Sequence, residues 1–254
     1  MPRPCTHTGC GQPSRKKSEA ASDRRRRAIV WAFSAVHLGY AARADATERH
    51  LLTSLASDVA LLLGYSVADI LAQRDEASDG DSQDPLADYE LELAELDERA
   101  EDVARGEETR MPQLPMDEAL LRLLPDMSEN PELASELRNM TQDSVRAAKA
   151  ENLATFYAAL ETTNDQIWVP DDDVGAWLAA LNDLRLTLAA RLEILDDNAA
   201  ERVYRNAFEL TGTDAREAQR SVETAEDMLA VVYATLTWWQ ESLLQAVRIK
   251  GMRG

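Results

Sequence analysis

The sequence predicts a mostly α fold, a helical bundle with a small N-terminal β-hairpin. Three observations lead there. Leu and Ala dominate a 254-residue chain that carries ten Gly and nine Pro, the composition of a helical protein with enough apolar content for a substantial core. Long stretches repeat apolar residues at three- and four-residue steps. Near the N-terminus, by contrast, Trp31, Phe33 and Ala35 alternate with Val30, Ala32 and Ser34 at the period of a strand.

The chain opens on a basic arm. Residues 1–27 hold eight basic and two acidic side chains, which leaves about −25 of the total −19 for everything after them. An acidic body repels phosphate, so a uniformly nucleic-acid-binding surface is excluded and only Arg15, Lys16, Lys17 and Arg24, Arg25, Arg26, Arg27 offer nucleic-acid or partner contacts. The arm has almost no apolar residues and is expected to be disordered when free. Both cysteines of the chain, Cys5 and Cys10, lie in it, separated by four residues with Gly9 and Gly11 available for tight turning. Neighbouring cations favour thiolate over thiol, so a reversible redox pair is chemically plausible, weighed against two incidental thiols in a solvated tail. His7 would complete only three ligands of a zinc site, and neither a metal nor a cofactor is expected.

From Ala28 to Ala44, an apolar run after four arginines superficially imitates a secretory signal, but a hairpin turning at His37-Leu38-Gly39 fits better. The run is too short to span a bilayer, and the cytoplasm is the expected location. Asp45 with Glu48 forms a capping box for a helix with the stripe Leu51, Leu52, Leu55, Val59, Leu62, Leu63, ended by Gly64. A second short helix begins at Ser66. Together they faintly suggest a helix-turn-helix, though ordinary hairpin packing fits the acidic Asp69, Asp75 and Glu76 better. From Asp75 to Glu108 fifteen acidic residues face only Arg99 and Arg105. Residues 75–114 therefore read as an acidic insertion, largely disordered, while 28–74 and 115–250 form one domain.

Beyond the insertion, Asp117 to Leu124 makes a short helix stopped by Pro125, Asn130 and Pro131 open another, and Thr141 caps a third running to about Leu160. Gln166 to Val169 is extended and could add to the hairpin. Two stripes then dominate. After Asp171, Asp172 and Asp173, the residues Val174, Trp177, Leu178, Leu181, Leu184, Leu188 and Leu192 fall on one helical face. Near the C-terminus, Val222, Ala225, Leu229, Val232, Leu236, Trp239, Leu243 and Ala246 form a coiled-coil-like seam, flanked by Met228, Val231, Thr235 and Trp238. A short helix around Ala199 to Leu210 lies between them. If the two long helices pack antiparallel, Arg185 and Glu241 could form a structural polar pair that fixes register. No phosphate-binding loop, nucleophile–base pair or strong metal spacing occurs, so no catalytic residue and no enzyme activity are expected.

The strings Trp177 to Leu186, Val232 to Leu243 and Leu120 to Asp126 resemble an actinobacterial domain-of-unknown-function family that includes oxidative-stress transcriptional regulators called AosR. The resemblance runs from about Val30 to Val247, interrupted by the acidic insertion and by extra residues around Asp196 to Ala218. It implies a transcriptional regulator of the oxidative-stress response, acting through RNA polymerase sigma factor or another protein, or through promoter DNA; the chemistry of Cys5 and Cys10 adds a disulfide switch as the hypothesis to test. Those two cysteines lie outside the resembling stretch. The rival reading is a non-enzymatic protein–protein adaptor or scaffold that touches no DNA. Either could use a homodimer through the C-terminal helix, and neither involves a membrane.

Overall fold

The computed structural model describes residues 31–79, 117–163, 166–211 and 222–252. The expectations placed on the basic arm, and on the acidic insertion beyond Asp79, fall outside these residues.

The small sheet contains β1 (Trp31–Val36), β2 (Gly39–Arg43) and β3 (Gln166–Pro170), in the order β1-β2-β3 and antiparallel throughout. The hairpin closes with Val36 opposite Gly39, and Leu38 takes φ 58° in the turn. β3 joins from more than a hundred residues away, Trp168 opposite Ala41 and Val169 opposite Tyr40. Gly39 sits where no larger residue fits: a Cβ there would lie 2.3 Å from the Val169 carbonyl oxygen.

Seven helices follow among the described residues: α1 (Ala46–Leu63), α2 (Val67–Asp79), α3 (Glu118–Leu123), α4 (Pro131–Glu161), α5 (Val174–Arg191), α6 (Asp197–Thr211) and α7 (Ala225–Gly251). α1 starts with the Asp45–Glu48 capping box and stops at Gly64, which takes φ 94° so that its N–H can close the last turn. α2 continues to Asp79, so the first positions assigned to the acidic insertion are helical. It bends from α1 by 91°. Arg74, the one cation it could have offered to a phosphate, instead donates to the Glu151 carboxylate and carbonyl and to Thr155 on α4. Among the described residues no single helix is long and apolar enough to cross a membrane.

Two local expectations need correction. Residues 131–161 are one 31-residue helix, because no Gly or Pro interrupts them and Thr141, expected as a cap, donates its hydroxyl to the Leu137 carbonyl one turn back. Val222 lies exposed before α7, whose own cap is Thr224 in a capping box with Asp227.

One core joins these elements. Phe33 of β1, Phe156 of α4, Trp177 of α5 and Trp239 of α7 meet edge to face or tilted, with Phe156 and Trp177 at 4.6 Å, Phe33 and Trp239 at 4.9 Å, and the two indoles at 5.7 Å between centroids. Trp177, Trp239 and Phe156 are fully buried. Around them pack Leu181, Leu184 and Leu188 from α5 and Val232, Leu236 and Leu243 from α7. From Leu229 to Ala246 the heptad-like seam of α7 packs inside its own chain.

Candidate functional site

The described residues begin at Trp31, and the contacts there are specific. A strand at the edge of a sheet exposes unpaired N–H and C=O groups that invite another strand. Here α7 covers that edge. Trp239 donates its indole N–H to the Trp31 carbonyl at 3.0 Å, and the Phe33 N–H donates to Ser242 Oγ at 3.2 Å. The Ser242 hydroxyl in turn donates to the Trp239 carbonyl. At the far end of the sheet Lys250 donates to Asp171 at 2.5 Å and lies 4.9 Å from the Tyr40 ring centroid.

α5 and α7 run antiparallel: Gln240 reaches the Leu178 carbonyl, while Arg185, two turns further along α5, meets Thr237, one turn earlier on α7. The expected register-fixing polar pair forms with a different partner. Arg185 Nε donates to Thr237 Oγ1 at 2.8 Å and an Nη donates to Gln240 Oε1 at 2.5 Å, whereas Glu241 is exposed. One residue along a helix is a rotation of about 100°, which turns Glu241 away from the face that Thr237 and Gln240 share. The guanidinium also sits 5.8 Å from the Tyr233 ring, which stacks against Tyr204. Burial raises the Tyr204 phenol above its ordinary range. The cluster has four polar donors and acceptors matched to one another and no group that exchanges protons near neutrality, so it joins three helices rather than performing chemistry.

A buried ion pair was not anticipated. Lys149 of α4 donates to Asp183 of α5 at 2.6 Å, and Asp183 is 1% exposed. Its Oδ2 has no hydrogen-bond partner. Burial pushes the carboxyl pKa up, and Lys149 pulls it back only in part. The signal was present in the sequence: Lys149 lies four residues from both Val145 and Leu153 on an apolar stripe, a position where a lysine needs a buried acid.

Cys5, Cys10, Arg15, Lys16, Lys17 and Arg24 to Arg27 lie outside the described residues, so Arg185 and Glu241 are the predicted site residues whose places can be given. Among the described residues no group of three or more His, Cys, Asp or Glu is placed to hold a metal ion. On the surface of α7, Met228 and Trp238 are both about half exposed, an apolar flank that the seam itself does not use.

A family model described as a domain of unknown function, DUF2017, matches residues 27–247. No curated protein and no solved structure matches the chain.

Proposed function

We propose that this chain, which belongs to the DUF2017 family, is a redox-responsive transcriptional regulator of the oxidative-stress response, as its resemblance to AosR regulators implies. The observation that carries the reading is the concentration of both cysteines, Cys5 and Cys10, in the same 27-residue segment as eight of the chain's basic residues. The described residues begin at Trp31, whose carbonyl accepts from Trp239 of α7. Oxidation by peroxide is the sensing step. The thiolate of one cysteine attacks peroxide and becomes a sulfenic acid, expelling hydroxide, the other thiolate displaces a second hydroxide from that sulfur to leave the disulfide, and the two protons given up by the thiols turn both hydroxides into water. Two thiols are oxidised and one peroxide is reduced. The closed loop changes how the neighbouring Arg15, Lys16, Lys17 and Arg24 to Arg27 meet a sigma factor or promoter phosphates.

Removing residues 1–27 from the chain tests this. Binding to a sigma factor or to promoter DNA should disappear with the arm, together with its steep salt dependence. A second reading is favoured by the strongly acidic remainder and by exposed Trp238 and Met228: a protein-only adaptor that holds its partner through the body. Such an adaptor keeps its partner after the deletion.

A further inference from the structure

The sheet turns one face to the core and leaves much of the other exposed. Phe33, Tyr40, Ala42, Ile167 and Val169 point inward. Their alternating neighbours share the outer face in register, Trp31 opposite Arg43 opposite Gln166, and Ser34 opposite Ala41 opposite Trp168. Trp31 is 37% exposed and Trp168 47%, and Arg43 and Gln166 are exposed as well. Ala41, on the middle strand, is only 9% exposed, because it lies in a depression of about 260 Å³ whose rim includes Trp31, Arg43 and Gln166. Trp168 stands two residues from Gln166 on the same face, and its Nε1 comes within 2.8 Å of where a Cβ on Gly39 would be, so the indole leans across β2.

Two half-exposed indoles on one small sheet face are ring surface that a partner can cover. The charge around them selects the partner. Arg43 lies on the face itself, and Asp45 and Glu48, the nearest carboxylates in sequence, are engaged in the capping box of α1. Arg24 to Arg27 immediately precede the sheet, and four residues of chain keep the Cα of Arg27 within about 14 Å of that of Trp31, whatever path it takes. The chain after residue 27 carries about −25, so a polyanion is attracted here and repelled by the remainder. A neutral peptide would gain from the rings and nothing from the cations. A duplex would gain from the cations and nothing from the rings, since its base faces are hidden in the stack. An unpaired strand uses both, its phosphates on arginines and its bases on indoles.

We propose that the outer face of the sheet binds single-stranded DNA, with bases stacked on Trp31 and Trp168 and the backbone held by Arg43 and the arginines of the basic arm. The inference rests on the promoter-DNA branch of the function proposed above and deepens it: the arm supplies affinity for any DNA, and the sheet face supplies the preference for a strand whose bases are unpaired.

Fluorescence anisotropy of the reduced full chain with a labelled oligothymidylate of about twelve nucleotides, and with a DNA duplex of the same length, tests it. The single strand should bind about tenfold or more tighter than the duplex. Trp31→Ala and Trp168→Ala should each weaken the single strand by about tenfold and leave the duplex unchanged, Trp168→Phe, which keeps a ring, should retain most of the affinity, and Arg43→Gln should weaken the strand severalfold. Equal affinity for strand and duplex, indifference of the strand to Trp168→Ala, tighter binding of an oligouridylate than of the oligothymidylate, or a face that takes a neutral proline-rich peptide and no oligonucleotide would each overturn the assignment. If the preference for the single strand is missing while arm-dependent duplex binding persists, this inference falls and the regulator reading stands; if both are missing, the promoter-DNA branch falls with it. Should Trp31→Ala fail to fold, the comparison of Trp168→Ala with Trp168→Phe still decides.

Discussion

The indole N–H of Trp239 reaches the carbonyl of Trp31 across 208 positions of sequence, at 3.0 Å. This bond fastens the first described strand to the last helix, in the middle of the aromatic cluster that closes the core. The other central indole differs: Trp177 Nε1 is buried and has no acceptor.

The two tryptophans should therefore respond differently to the same change. Trp239→Phe loses a hydrogen bond as well as volume and strands the Trp31 carbonyl, which should cost about 2–4 kcal/mol. Trp177→Phe removes an unsatisfied donor along with the volume, so its cost should be smaller by about 1–2 kcal/mol. Urea unfolding of the two variants side by side measures the difference, and equal destabilisation would show that the indole bond contributes nothing.

Gly39→Ala should destabilise the sheet. Its Cβ would lie 2.3 Å from the Val169 carbonyl oxygen and 2.8 Å from Trp168 Nε1, so either β3 moves away from β2 or the hairpin distorts. A loss of about 2 kcal/mol or more is expected in chemical denaturation. The open position at Gly175 serves as the control, because nothing lies within 4 Å of a Cβ there, and Gly175→Ala on α5 should be neutral or stabilising.

Lys149→Met should cost about 3–5 kcal/mol at neutral pH, because it leaves the carboxylate of fully buried Asp183 without its cation. The deficit should shrink on acidification. The folded-state pKa of Asp183 is raised, with burial as the main cause, and loss of Lys149 raises it further. The native state then binds a proton more readily than the unfolded chain, so the variant gains stability relative to the parent as pH falls through that range. Urea midpoints of parent and variant across acidic and neutral pH check this; a deficit that is constant with pH would refute the buried-charge account.

Glu48 provides a milder pH response. Burial, with repulsion from Asp45, lifts its carboxyl from 4.5 to about 6, partly opposed by the hydrogen bond from the Asp45 N–H. A raised acid favours its protonated form in the native state, so this contribution is greatest below 4.5 and is lost as pH rises through about 6. The group is partly exposed, and solvent screening holds the effect below about 1 kcal/mol. Glu48→Gln should flatten the stability profile between those two pH values.

Much of the fold was legible because local rules and tertiary packing agree. Asp45 and Glu48 form the capping box their spacing suggests, Gly64 ends α1, and Trp177 and Trp239 sit at the centre of the stripes that announced them. The extended Gln166 to Val169 does add to the hairpin. What failed depended on rotation and reach. Tyr233, Thr237 and Gln240 fall at steps of four and three and so share a face toward Arg185, whereas Glu241 is one residue beyond it. Charge complementarity pointed to the acid, while helical periodicity favoured the amide. Thr141 has a good cap residue type, but with Pro131 already opening a helix and no breaker between, its hydroxyl bonds one turn back instead. The Lys149–Asp183 pair was written in the apolar neighbours of both residues, a signal weaker than the two long stripes around it.

The central claim, a two-cysteine switch in the basic arm, is tested most directly by peptide mapping of the peroxide-treated full chain under non-reducing conditions. Tryptic cleavage leaves Cys5 and Cys10 together in the peptide that ends at Arg15. The account predicts that this peptide becomes two hydrogens lighter and resists alkylation until a reductant is added. A peptide that keeps both thiols alkylatable after peroxide, or carries them to irreversible oxyacids without an internal bond, would contradict it.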